Sequence, residues 1–125
     1  MARIAVIDED KHIRELYYCE FSEIGYEVFT AASGFELMAK LEGFLPDLIV
    51  MDIKPGEVDG LKLLREIRSF APELPVVICS VYDLSRWDIG TAAADWCVVK
   101  SFDLTGLKAK VERALEAKSP FLKAV

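Results

Sequence analysis

The chain has 125 residues, 53% of them hydrophobic, and a formal net charge of −6. That length suits one domain able to bury a core, the composition argues against disorder, and the acidity argues against a face built to bind a phosphate backbone. The apolar runs are only strand-sized, so no membrane span is expected, and "MARIAVIDED" turns acidic before a signal peptide could form, so the cytoplasm is the expected compartment.

The first element, "RIAVI" (3–7), is apolar and β-branched and reads as a strand. Apolar residues at 13, 16, 17, 21 and 24 then lie on one helical stripe, which Gly25 ends. "EVFTA" (27–31) is the second strand. Ser33, with Glu36 three residues on, has the capping-box pattern that opens a helix over "GFELMAKL". The third strand, Leu48 to Met51, runs straight into Asp52 and a loop of turn residues, Pro55, Gly56, Asp59 and Gly60. Asp59 is expected to cap a helix over about 60–69, with Leu61, Leu64 and Ile67 facing inward. "VVIC" after Pro75 is the fourth strand, a weaker helix follows over about 84–93, and "CVVK" (97–100) is the fifth strand. Asp103 caps a last helix carrying Leu104, Leu107, Val111 and Leu115.

Five strand–helix units imply an α/β fold with a parallel sheet covered on both faces, because strands buried on both sides read as unbroken apolar runs. Periodicity does not separate the two common doubly wound orders. Five strands in this length favour the flavodoxin-like order 2-1-3-4-5. The domain is expected over 1–118, with 119–125 as a tail or the start of a linker. Three cysteines, Cys19, Cys79 and Cys97, lack CxxC spacing and fit reduced thiols.

In a parallel sheet every strand delivers its last residues to one edge, where open α/β folds keep their sites. Strand one delivers Asp8, Glu9 and Asp10, strand three Asp52, strand four Ser80 and strand five Lys100. Clustered carboxylates repel one another unless a cation intervenes, and a hard divalent ion with oxygen ligands, Mg²⁺ by preference, fits them. A hydroxyl and an amine complete the groups that hold transferring phosphoryl oxygens. A carboxylate is able to act as the nucleophile, and Asp52 on the central strand is the best placed. Each of these residues has an ordinary explanation alone, as cap, turn residue or solvated strand end. Together, on consecutive strand ends, they point to phosphoryl chemistry.

"AVIDED", "DLIVMDIKPGEVDGLKLLREIR", "PVVICS" and "VVKSFD" resemble the receiver domain of two-component response regulators along essentially the whole chain. The resemblance implies that Asp8 and Glu9 form the acidic pair and Asp52 the phosphoryl acceptor, with Mg²⁺ held by these three and the backbone carbonyl of Lys54. It makes Ser80 the hydroxyl residue and Lys100 the lysine that pairs with the phosphoryl group. It implies a signalling receiver that assists its own phosphorylation and dephosphorylation rather than a conventional enzyme. The donor would be a sensor histidine kinase or histidine phosphotransfer protein, and a downstream protein would dock on the last two βα units. Direct nucleic-acid binding and membrane association are not expected, and a homodimer stays open.

Three departures from the family pattern bear on switching and access. Val81 stands where Ala or Gly is usual, Cys97 replaces the aromatic switch residue, and Ser101 replaces the proline after the lysine. A cis bond before Ser101 would cost about 3 kcal/mol, so a trans bond or a strained loop is expected. These departures favour an alternative, a receiver-like interaction or dimerisation module that works without phosphorylation. The D-x-D in "VIDED" also suggests a haloacid-dehalogenase-type phosphatase, but Lys11-His12 do not supply the residues that family needs next.

Overall fold

The computed structural model describes residues 1–53, 58–81, 96–101 and 103–118. Its elements are Arg3–Ile7 (β1), Lys11–Ile24 (α1), Glu27–Ala31 (β2), Gly34–Phe44 (α2), Leu48–Met51 (β3), Val58–Phe70 (α3), Val76–Ser80 (β4), Trp96–Val99 (β5) and Thr105–Lys118 (α4). The strands form one parallel sheet in the order β2-β1-β3-β4-β5, the flavodoxin-like order. The helix expected over 84–93 and the tail 119–125 lie outside the described residues.

The unbroken apolar strands have a direct packing consequence. Alternate residues of each central strand go to opposite faces, and both faces are buried. Ala5, Ile7, Ile49, Met51, Val76 and Ile78 meet Leu37 and Leu41 of α2 and Leu64 and Ile67 of α3. On the other face Ile4, Val6, Leu48, Val50, Val77 and Cys79 meet Tyr17 and Phe21 of α1 and Leu107, Val111 and Ala114 of α4. Each fully buried Leu, Ile, Val or Phe contributes roughly 1.5–3 kcal/mol relative to exposure.

The helix ends follow their capping chemistry. Asp10 Oδ1 accepts from His12 N at 2.8 Å and starts α1, and Gly25 ends it at φ 111, a left-handed conformation that costs glycine little. Ser33 Oγ accepts from Glu36 N at 3.2 Å, but Glu36 Oε2 reaches back to Ala32 N, one residue before the position a standard capping box uses. Asp103 Oδ1 accepts from Thr105 N and Oγ1, as expected for the last helix. Helix α2 ends on Leu45 at φ 49, where a β-carbon is strained.

Three sequence expectations need correction. Helix α3 already starts at Val58, so Asp59 sits in its first turn, where its charge complements the helix dipole rather than capping the end. Leu61 is only half-buried, and Leu63 packs against the core instead. On α1 the buried stripe is Tyr17 and Phe21 with Ile13 beside them, whereas Leu16, at the edge of that stripe, and Ile24, the last residue of the helix, are exposed.

Candidate functional site

Sheet geometry brings the strand-end residues to one level. Asp8 follows Ile7, the last residue of β1 in register with Ala31 and Met51. Asp52 follows Met51, and Lys100 follows Val99, which is in register with Ser80. The ladder then extends one step: Asp8 N donates to Ala31 O at 3.1 Å, Asp52 N to Ile7 O at 3.2 Å, and Lys100 N to Ser80 O at 2.6 Å. Ser80 itself is the last residue of β4 and is fully buried.

The side chains converge on the lysine. Lys100 Nζ lies 2.7 Å from Asp8 Oδ2 and 3.4 Å from Asp52 Oδ2. The side chains of Lys100, Asp8 and Asp52 are 12%, 5% and 15% exposed, so the triad is largely shielded from water. Burial works against the ammonium, but the hydrogen bond to Asp8 and the charges of Asp8 and Asp52 outweigh it and hold the Lys100 pKa above its ordinary value. Two carboxylates at one sheet edge thus gather a cation, as their mutual repulsion demands.

Asp8 and Glu9 sit on a tightly fixed loop. Asp10 N donates to Asp8 Oδ1 at 2.9 Å, and Arg14 Nη1 donates to both Asp8 O at 2.9 Å and Glu9 O at 2.8 Å. A cavity of about 270 Å³ opens beside this loop, lined by Asp8, Glu9, Asp52, Asp59, Ser33 and Gly34 among others. Its wall is close-packed, since a β-carbon on Gly34 would stand 3.1 Å from both terminal methyls of Leu63. Among the described residues no three Asp, Glu, His or Cys side chains converge at metal-ligating spacing. Glu9 is exposed, and Lys54, whose carbonyl was expected as a ligand, lies outside the described residues.

Behind the triad, on the α1 side of the sheet, Tyr17 Oη and Cys79 Sγ are 3.3 Å apart in the core. Burial, the bond to Cys79 and nearby negative charge push the Tyr17 phenol above the usual tyrosine range. Burial also raises the Cys79 thiol, despite the opposing influence of Tyr17 and Lys100, which makes it an unreactive core group.

The departures fall on the surface. Val81, directly after Ser80, is 63% exposed. Cys97 is exposed on the edge strand β5, in register with Ile78. Ser101 is exposed, its Oγ accepts from Asp103 N at 3.1 Å, and no peptide bond among the described residues is cis.

Arg14 was not singled out by the sequence, although a signal was present. The first turn of α1 holds no acidic residue, while Lys11 and His12 begin it and Arg14 follows, the reverse of what the helix dipole favours. A cation placed against the dipole asks for an anionic or carbonyl partner, and the loop carbonyls are that partner.

The family model described as response regulator receiver domain matches residues 4–112. Regulatory protein AtoC of Escherichia coli strain K12 is 32% identical over 94% of this chain and 26% of its own length. Response regulator MprA of Mycobacterium sp. strain KMS is 33% identical over 94% of this chain and 52% of its own. The chain therefore spans about a quarter to a half of the curated relatives it matches. Among solved structures, response regulator TrrA of Thermotoga maritima in complex with Mg²⁺–BeF is 38% identical, with a TM-score of 0.81 over 91% of this chain and 99% of that one. TrrA is also known in complex with the histidine kinase ThkA, with the same TM-score of 0.81 and 38% identity.

Proposed function

The chain belongs to the receiver domain family of two-component response regulators, and we propose that Asp52 is its phosphoryl acceptor. An oxygen of the Asp52 carboxylate attacks the phosphorus of a phosphohistidine. The nitrogen–phosphorus bond breaks, an acyl phosphate forms, and the imidazole leaves with a proton. Lys100 pairs with the incoming phosphoryl oxygens, and the Ser80 hydroxyl donates to them. The observation that carries this proposal is the Lys100 ammonium, set between Asp8 and Asp52 at the carboxyl edge of the sheet.

The donor set suits a hard divalent cation, because Asp8, Glu9 and Asp52 line one cavity and offer only oxygen ligands. These residues, with the carbonyl of Lys54, would hold Mg²⁺, which when bound neutralises charge on the transferring phosphoryl group. The proposed donor is a histidine kinase or histidine phosphotransfer protein in the cytoplasm, by likeness to the TrrA–ThkA pair. Release of Lys100 from Asp8 toward the phosphoryl group is the proposed local event, and β5 with α4 the surface that reports it, since Cys97 and Val99 are exposed on that edge strand.

The test is intact mass after incubation with a small-molecule phosphodonor, with and without Mg²⁺, with Asp52→Asn as control. A Mg²⁺-dependent gain of one phosphoryl group, absent from the variant, is expected. No gain in the wild type overturns the proposal in favour of a module that works unphosphorylated.

A further inference from the structure

One arginine nitrogen holds the backbone that carries both acidic side chains of the β1–α1 loop. Arg14 Nη1 has two hydrogens, and its two acceptors are consecutive carbonyls, Asp8 O at 2.9 Å and Glu9 O at 2.8 Å. The same loop is held at two more points, by Asp10 N on Asp8 Oδ1 and by the Asp10 cap on His12 N. Asp8 has a further anchor in Lys100, 2.7 Å away. The Glu9 side chain is exposed, and Arg14 fixes the backbone that carries it.

We infer that Arg14 is a positioning residue for divalent-cation binding: by pinning the Asp8 and Glu9 carbonyls it presents the two carboxylates to the cation. This rests on the proposal that Asp8, Glu9 and Asp52 hold Mg²⁺. Partners that orient ligands without touching the metal typically set its affinity by ten- to a hundredfold. The sign separates this role from a charge effect. A nearby cation repels Mg²⁺, so charge alone makes removal of Arg14 tighten binding, whereas lost positioning weakens it.

The experiment is calorimetric titration of MgCl₂ into the whole chain as wild type, Arg14→Gln and Arg14→Lys, with thermal unfolding in EDTA alongside. Arg14→Gln is expected to raise the Mg²⁺ Kd about tenfold or more. Arg14→Lys keeps the charge but ends one bond short of the two carbonyls, and is expected to raise it about threefold. The unfolding temperature in EDTA should not follow that ranking, because the arginine is half-buried at a helix start and packs in neither core cluster. A Kd in Arg14→Gln within about twofold of wild type, or tighter, overturns the inference while leaving the Mg²⁺ site standing. Should the glutamine variant not fold, Arg14→Lys decides alone, and a Kd equal to wild type overturns the inference. Absence of Mg²⁺ binding in the wild type overturns the metal site, and the inference with it.

Discussion

Replacing Lys100 by Met keeps most of the stem and removes only the charge between two shielded carboxylates. A solvent-exposed ion pair would contribute about 0–1 kcal/mol. Here the partners lie at 2.7 and 3.4 Å with side chains 5% and 15% exposed, so the surface figure does not apply. Removing one partner of a buried ionic group costs about 3–5 kcal/mol, chiefly because the remaining charges are left uncompensated. The residual solvent access of Asp52 and the relief of burying an ammonium reduce this, giving about 2–4 kcal/mol for Lys100→Met. With a urea slope of about 2 kcal/mol/M, the unfolding midpoint should fall by about 1–2 M, measured by circular dichroism at neutral pH in EDTA so that no divalent ion replaces the lysine. Lys62→Met, on the exposed face of α3, should stay within about 0.5 kcal/mol of wild type. The pH dependence has a definite sign. Lys100 has a folded pKa above its ordinary 10.5, so its contribution is fully present below that pH and is lost only as pH rises through the folded value. The gap between wild type and Lys100→Met should therefore be constant through neutral pH and shrink above about pH 10.5. A midpoint for Lys100→Met indistinguishable from wild type would refute the reasoning.

Phe21 is fully buried, with Tyr17 edge-on at 6.1 Å and Tyr26 tilted at 6.1 Å, so Phe21→Ala should cost about 3–5 kcal/mol by urea unfolding. Tyr17 has a raised folded pKa, so its neutral phenol favours the fold and stability falls once the unfolded chain ionises above pH 10.0. An ultraviolet alkaline titration should find that Tyr17 ionises only on unfolding, a step that Tyr17→Phe removes. Leu45 at φ 49 carries about 1–2 kcal/mol of strain, offset in part by the added freedom of glycine in the unfolded chain. Leu45→Gly should stabilise the protein by about 0.5–1 kcal/mol, read as a higher urea midpoint.

Strands β1, β3, β4 and β5 were legible because each is an apolar run ended by a polar residue, and their parallel pairing followed from the alternation with helices. Asp8, Asp52, Ser80 and Lys100 were legible as residues of one edge for the same reason. What the sequence withheld was how they meet. Nothing in the spacing said that Lys100 would stand between Asp8 and Asp52, because that depends on the reach of a side chain across the two strands between β5 and β1. Arg14 was hidden because its partners are carbonyls, which every residue carries and no motif marks. The start of α3 was misplaced because Asp59 serves equally well as a cap or in a first turn, and its type alone does not separate the two.

A sheet buried on both faces has lost the usual safeguard against slippage. Where one face meets water, a shift of one residue throws polar groups inward and is rejected at once. In β1 and β3 the shift merely exchanges one apolar set for another, so hydrophobicity is nearly indifferent to it. What distinguishes the correct alignment is polar and lies at the strand ends. Arg3 N donates to Asp47 Oδ2 and Asp47 N to Arg3 O where the two strands begin, and Asp52 N donates to Ile7 O where they finish. Moving β1 by one residue would break those pairings and draw Asp8 away from Lys100. Through its pairing with Lys100 the Asp8 carboxylate thus also acts as an alignment mark for β1, and a substitution there would be felt by folding fidelity as well as by chemistry.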